Sequence, residues 1–138
     1  MSVLANLIFT FHLCIVIFVI FGFLSQVPMI LLLHITFIIG LISHWAMNSD
    51  ICSLSVMEAQ CRGINYTETF MHRCISPIYN IHEYQLTKLC YIVSITGLAF
   101  SLYNLYNSER FRLAIQNCKE KGLFDHETMQ NLAGPHSL

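Results

Sequence analysis

The chain has 138 residues, of which 55% are hydrophobic and only 11% charged, and its net charge is −1. This balance excludes a protein that binds nucleic acid through a concentrated basic face. All the charged residues lie between Asp50 and Glu127, so the first 49 residues are uncharged. Such a long apolar segment, with little apolar sequence left for a soluble core, predicts an all-α membrane protein.

Two apolar segments fill the N-terminal part of the chain. Residues 3–24 contain 16 Leu, Ile, Val or Phe residues, and a helix of this length crosses a hydrocarbon core of about 30 Å. The pair Ser25-Gln26 interrupts the run, and Pro28 suits the first turn of a new helix over residues 27–47. The pattern predicts an antiparallel hairpin of transmembrane helices, closed by Trp45 at headgroup depth.

A cleaved signal peptide is the alternative interpretation of residues 3–24. A signal peptide needs a basic N-terminal region, a shorter apolar core and small residues at the cleavage site. No basic side chain precedes this run, and the run is too long. We therefore expect the first helix to be retained.

A third span is predicted over residues 86–106, where residues 89–108 are uncharged. Gly97 and Ser101 form a small-xxx-small pair, which allows another helix to approach closely. We expect this helix to pack against the hairpin rather than to stand alone in lipid. Residues 1–106 are then one membrane domain.

The loop of residues 48–85 joins the second and third spans. The loop sequence predicts two short helices, the first of which covers residues 56–62. In this helix Glu58 and Arg62 have the i,i+4 spacing that favours an ion pair. The second ends before Pro77, because the residue before proline avoids the α region. We expect both helices to lie on the membrane surface and to cover the ends of the spans.

The C-terminal tail, residues 107–138, is predicted to be helical and amphipathic. Residues 108–121 can continue the third span out of the membrane, and a shorter helix can start at Asp125 and end before Gly134. Such a tail can lie on lipid, bind a neighbouring protein or fray. We expect a surface for a partner protein.

The distribution of basic residues indicates an orientation. The tail after the last span, which begins with Arg110 and Arg112, contains more basic residues than the loop. The positive-inside rule therefore favours a cytosolic tail. Asn65 starts an N-glycosylation sequon in the loop, on the side that is then exofacial. Both features favour an N-out, C-in arrangement.

Three of the six cysteines share the loop. If the loop faces an oxidising compartment, Cys52 can pair with Cys61 or Cys74 in one disulfide. A zinc site that combines these thiols with His44 or His72 is the alternative, but no C-x-x-C or H-x-x-x-H spacing is present. We predict no cofactor and no metal.

His12, His34 and His44 lie in the predicted hairpin, where an ionisable side chain is costly enough to indicate a role. Measured from the turn at about 1.5 Å per residue, His12 is roughly 7 Å out of level with each of the others. This offset fits haem ligation poorly. We expect interhelical hydrogen bonds from His12 and His34, with His44 at the interface. A haem- or quinone-associated redox subunit that uses these histidines is the alternative function.

The run Ile51 to Glu58, ICSLSVME, resembles the I-C-x-L-[ST]-x-x-E signature of a family of small, uncharacterised bacterial multi-pass membrane proteins. The resemblance covers roughly residues 10–80 and implies a helical membrane fold with a cysteine-containing loop, but no activity. The chain departs from the pattern at Ser53, where proline is frequent, and in its longer charged tail. The resemblance also includes Phe11, His12, Gly22, His34, Phe70, Met71, Pro77 and Tyr79.

The stretch from His44 to Cys52, HWAMNSDIC, is similar to a His-Trp-x-x-Asn-x-Asp-x-Cys stretch in small multi-pass proteins of large DNA viruses. This resemblance implies a minor structural protein in the internal membrane of a virion, beneath the capsid. A membrane derived from the host endoplasmic reticulum is the related location.

No Ser/His/Asp set, acidic pair or phosphate-binding glycine loop indicates catalysis. We expect a non-enzymatic structural, assembly or membrane-anchoring protein, whose partners are the bilayer, other membrane or capsid and scaffold proteins, and further copies of itself. A transporter would need repeated halves or intramembrane carboxylates. The residues expected to form the structural and partner contacts are His44, Trp45, Asp50, Cys52, Glu58, Arg62, Pro77, Gly97, Ser101, Arg110 and Arg112.

Overall fold

The structure is a computed structural model that describes residues 3–64, 70 and 82–134. Over these residues the chain forms helices and connecting turns, without strands. Three of the helices are long and apolar enough to cross a membrane, which confirms the prediction of an all-helical protein with three such helices. The helices are α1 (Val3–Phe21), α2 (Pro28–Met47), α3 (Ser53–Arg62), α4 (Glu83–Asn107), α5 (Glu109–Lys121) and α6 (His126–Ala133).

A tight turn reverses the chain between α1 and α2. The end of α1 narrows into a 3₁₀ turn, Gly22–Leu24, and α2 starts with Pro28 at its first position. The Ser25 hydroxyl accepts a hydrogen bond from the Val27 amide at 3.2 Å, and therefore satisfies one of the polar groups of the turn. This turn brings α1 and α2 into the antiparallel arrangement that the sequence predicts.

The long helix α4 packs against α2 and the end of α1. Leu31 and Ile35 of α2 form a buried apolar cluster with Leu105 of α4. Many of the other apolar side chains of the long helices point outwards, among them Leu33 and Ile92. Helices that are apolar on all sides are typical of segments surrounded by lipid or buried in a large core.

The short helix α3 packs against α1. It ends at Gly63, whose left-handed φ of 68° suits a residue without a side chain. The predicted ion pair is present, with Arg62 Nε 2.8 Å from Glu58 Oε1. Arg62 also donates to the Asn6 side chain at 3.4 Å and so connects α3 to the start of α1. We refer to residues 50–64 as the lid.

The tail is helical, but it does not continue α4 as the sequence indicated. Ser108 has an extended backbone (φ −74°, ψ 113°), and its hydroxyl accepts a hydrogen bond from the Phe111 amide at the start of α5. Asp125 caps α6 in the same way. The chain therefore turns at Ser108 because this side chain replaces the missing partner of a helix N-terminus.

The helices α5 and α6 form a hairpin, which we call the tail hairpin. The Arg110 side chain donates a hydrogen bond to the Gly134 carbonyl, and Thr128 donates to the Gly122 carbonyl at 3.3 Å. Phe111 packs on the apolar cluster around Leu31. The tail hairpin therefore folds back against the turn end of the bundle, away from the lid.

Candidate functional site

A cavity of about 440 Å³ lies between α1, α2 and α4 at the end of the bundle that the lid covers. Its walls are mainly aliphatic, with Val16 and Leu41 as representatives, and polar side chains are few. Among them are His12, Cys52 and Ser94. The volume is within the range of small-molecule sites, which are mostly apolar with a few placed polar groups.

His12 joins α1 to the lid. Its buried ring stacks on Phe70, with the centroids 4.0 Å apart and the planes tilted by 26°. Its Nε2 atom is 3.6 Å from Cys52 Sγ, a weak hydrogen bond. Phe70 is attached in turn to α3, because its amide donates to the Ser55 hydroxyl at 3.2 Å. The histidine therefore contacts the lid and Phe70, and the expected hydrogen bond between the spans stays a prediction.

No disulfide joins the described cysteines near this site. Neither Cys52 nor Cys61 is in a disulfide in the described part of the chain, so these two are not paired with each other. Cys74 lies outside the described residues, and a bridge to it stays a prediction. Cys90 of α4 lines the same cavity as Cys52.

Ser94 carries a buried hydroxyl at the wall of the cavity. The residue is 1% exposed, and its hydroxyl has no hydrogen-bond partner among the described residues. The exposed hydroxyls of Thr10, Thr36 and Ser43 instead donate to the carbonyl four residues earlier, at 2.8 to 2.9 Å. The sequence did not single out Ser94. In the sequence it looks like Thr10, Thr36 and Ser43, which are also hydroxyl residues in apolar helices.

The rim of the cavity is formed by the turn after α2. Ser49 and Asp50 both have positive φ angles there, of 53° and 65°. The Asp50 carboxylate accepts a hydrogen bond of 2.6 Å from the Tyr91 hydroxyl, and Trp45 packs edge-on against the Tyr91 ring at 5.3 Å. These contacts connect the end of α2 to α4, so Trp45 and Asp50 act together.

His44 lies in the last turn of α2 and holds the start of the lid. Its Nε2 atom accepts from the Ser53 amide at 3.4 Å and is 3.2 Å from the Ser53 hydroxyl. Its Nδ1 atom is 3.0 Å from the Asn48 side-chain amide. His44 therefore supplies an acceptor to the N-terminus of α3, whose amides lack partners within the helix.

His34 joins the three long helices in the half of the bundle nearer the turn. It is fully buried, with Nε2 3.2 Å from the Val19 carbonyl of α1 and Nδ1 2.7 Å from the Ser101 hydroxyl of α4. Since a carbonyl only accepts, Nε2 carries the hydrogen, which leaves Nδ1 as the acceptor for Ser101. We call His34, Ser101 and the Val19 carbonyl the His34 cluster.

Small residues make room for the His34 cluster. A Cβ atom added to Gly22 would lie 2.3 Å from His34 Cδ2, so the imidazole rests directly on the glycine backbone. A Cβ atom on Gly97 would meet only ordinary contacts, the nearest at 3.5 Å. Asn104 adds a further bond, donating to the Phe23 carbonyl at 2.8 Å. Of the predicted small-xxx-small pair, Ser101 therefore binds His34, whereas the space beside Gly97 would also accept a methyl group.

Two of the three histidines, His12 and His44, line the cavity, whereas His34 lies in the His34 cluster. His12 contacts the lid, His44 holds the start of α3, and both ring nitrogens of His34 are engaged by protein atoms. In the ranges that the structure describes, no group of three or more His, Cys, Asp or Glu side chains is arranged to hold a metal. The redox alternative stays a prediction.

The remaining predicted residues are dispersed. Glu58 is buried and lies with Arg62 at the contact between the lid and α1, whereas Arg110 serves the tail hairpin and Arg112 is exposed. Asn65 and Pro77 lie outside the described residues, as does the second loop helix. The predicted residues that the structure brings near the cavity are His12, His44, Trp45, Asp50 and Cys52.

Comparison with known proteins identifies one family. The family model described as "Protein of Unknown function (DUF2784)" matches residues 2–107, which include the three long helices and the lid. No curated protein and no solved structure shows a significant match to the chain. The matched region contains both the cavity and the His34 cluster, and it ends where the tail begins.

Proposed function

This chain belongs to the DUF2784 family, whose function is unknown, and we propose that it is a non-enzymatic integral membrane protein that anchors or assembles other proteins. Three helices of membrane-spanning length support the insertion. Their outward-facing apolar side chains, such as Leu33 and Ile92, are the groups that lipid would cover. A soluble protein that exposed them would carry large apolar patches.

The tail hairpin carries the assembly part of the proposal. It exposes apolar side chains although it lies outside the three long helices, and Phe124 in its turn is 90% exposed. The backbone around Phe124 is held by the caps and by the bonds of Arg110 and Thr128. An ordered segment that presents apolar side chains is typical of a docking surface. The other exposed apolar residues of the hairpin are Leu113, Ile115, Leu123 and Met129.

The charge of the tail favours a protein over an anionic lipid surface as the partner. The tail contains four basic and four acidic residues, so it has no net charge from side chains. A helix that binds anionic lipid is usually enriched in lysine and arginine, which contribute about 1 kcal/mol each near the surface. The tail lacks this surplus.

The setting of the proposal follows from the sequence resemblances. The HWAMNSDIC stretch, His44 to Cys52, supports a minor structural role in the membrane of a large DNA virus particle, next to capsid or scaffold proteins. The tail after α4 contains more lysine and arginine residues than the loop, which supports a cytosolic tail and an exofacial lid. In this arrangement the tail hairpin is the part of the chain that meets proteins assembling on the cytosolic side.

Site-specific cross-linking tests the proposal. A photoreactive amino acid replaces Phe124 in the full chain, and the exposed polar residue Gln116 is the matched control position. In native membranes or particles we expect one or a few discrete protein adducts from position 124 and few from position 116. Capsid or scaffold proteins among them would support the viral setting. Adducts with lipid alone at position 124 would overturn the assembly role.

A further inference from the structure

We propose that the cavity under the lid binds a neutral single-chain amphiphile, whose hydroxyl or carbonyl group forms a hydrogen bond with Ser94. Binding of this ligand is independent of any protein that docks on the tail hairpin. The inference rests on the proposed function in one respect only, the insertion of the three long helices into a bilayer.

The unpaired hydroxyl of Ser94 is the first observation. Buried polar groups are almost always hydrogen-bonded, because a hydroxyl removed from water without a new partner is costly. A serine in a helix can bond to the carbonyl four residues earlier, as Ser43 does, but Ser94 makes no such bond. Ser94 also lines the cavity. A ligand group in the cavity would therefore supply the partner that the described residues do not.

The chemistry of the walls defines the ligand. The side chains from α1, α2 and α4 are mainly apolar, with Val16, Leu41 and Val93 among them, and they suit a hydrocarbon chain. No lysine or arginine is among the described residues that line the cavity. Among these described residues an anionic headgroup would find no lysine or arginine to pair with, and it would lie near the Asp50 carboxylate. A neutral hydroxyl or carbonyl avoids this repulsion and can pair with the Ser94 hydroxyl.

The position of the cavity makes a lipid-like ligand accessible. It lies among helices of membrane-spanning length, so molecules dissolved in the bilayer are at high local concentration around it. Long-chain alcohols, monoacylglycerols and isoprenoid quinones share the required chemistry, a hydrocarbon chain with a neutral oxygen. The experiment below separates these sources by competition.

The test uses the full chain in lipid nanodiscs and a long-chain alcohol that carries a diazirine in its tail. We expect saturable labelling that maps to cavity-lining peptides of α1 and α4. A fatty acid of the same chain length should label less because it is anionic, and the corresponding alkane less because it has no oxygen. Unlabelled monoacylglycerol or quinone is then added, and the better competitor indicates the natural source.

Two variants locate the binding site. Ser94→Ala should weaken labelling by the alcohol roughly 2- to 10-fold, the contribution of one hydrogen bond. It should leave the thermal stability of the ligand-free protein unchanged or higher, because the hydroxyl has no described partner to lose. Val16→Phe retains Ser94 but fills the cavity, and it should reduce labelling at least as much. Ser43→Ala, which alters an exposed hydroxyl, is the matched control and should label like the unmodified chain.

Equal labelling of Ser94→Ala and the unmodified chain, or equal labelling by the alcohol and the alkane, would overturn the inference. Labelling confined to outward-facing peptides would do the same. These results leave the proposed anchoring function intact, provided that the chain enters the nanodiscs. A chain that fails to enter them contradicts the membrane insertion itself and so overturns both proposals.

Discussion

His34 connects the three long helices through side-chain hydrogen bonds. Its two ring nitrogens bind one group on α1 and one on α4, and it belongs to α2 itself. Because all these atoms are buried, each lost bond would leave a polar group without water to replace its partner. The sequence indicates that a histidine in an apolar span has a role, but it does not identify Ser101 and the Val19 carbonyl as the partners.

The glycine under His34 gives a sharp prediction. Gly22→Ala should destabilise the protein by about 1–3 kcal/mol, because the new methyl group displaces the imidazole and breaks the His34 cluster. Gly40 of α2 has no neighbour within 4 Å of an added Cβ, so Gly40→Ala is the control. It should be neutral or stabilising by up to about 1 kcal/mol, since alanine favours a helix.

Reversible unfolding of both variants in detergent micelles measures the difference. The decisive comparison is Gly22→Ala against Gly40→Ala, since the two changes add the same group to the chain. Equal stabilities would mean that the imidazole moves aside freely, and the His34 cluster would then contribute little to the packing of the bundle.

At the scale of elements, the lid depends on a few polar contacts. Glu58 is 1% exposed, and its ion pair with Arg62 lies next to Asn6 of α1. The i,i+4 spacing predicts this pair from the sequence. The spacing does not predict that Glu58 is buried, because its burial depends on where α3 lies relative to α1. This burial makes the loss of the ion pair more costly.

Removal of the charge at position 62 should loosen the lid. Arg62→Gln removes the cation that pairs with the buried Glu58 carboxylate. We expect a local destabilisation of about 1–3 kcal/mol, limited to this range because Arg62 is partly exposed and solvent screens the pair. Hydrogen exchange should accelerate in α3 and change little in the middle of α4. Arg112→Gln, at an exposed position of the tail, is the control. Unchanged exchange in α3 would show that the apolar contacts alone hold the lid.

The tail shows how one residue redirects an element. Periodicity over residues 108–121 is compatible both with a continuation of α4 and with a separate helix. Ser108 decides between them by capping α5, and the tail hairpin then packs near Leu31. The residue pattern does not show whether the helix breaks at Ser108, because a continuous helix and a separate α5 differ mainly in their tertiary contacts.

At the scale of the whole molecule, the proposed insertion of the three long helices would place the lid and the tail on opposite sides of a membrane. We expect Asn65 to be glycosylated when the chain is expressed in eukaryotic membranes, and Asn65→Gln to remove the glycan. Ala133→Ser creates a second sequon in the tail, starting at Asn131, and this site should remain unmodified. Gel mobility before and after glycosidase treatment measures both. A glycan in the tail and none at Asn65 would reverse the orientation.

The sequence by itself determined the helical class, the three membrane-length helices and the caps at Gly63 and Asp125, because these depend on local periodicity and on residue types near helix ends. Only the tertiary structure decided that Ser94 has an unpaired hydroxyl, that His12 contacts the lid, and that the tail folds back. These features depend on which side chains from distant segments meet, and an apolar helix presents nearly equivalent faces to its neighbours. The uncharged segment before Asp50 therefore indicated insertion, while the cavity that this segment forms with α4 and the lid became visible only in three dimensions.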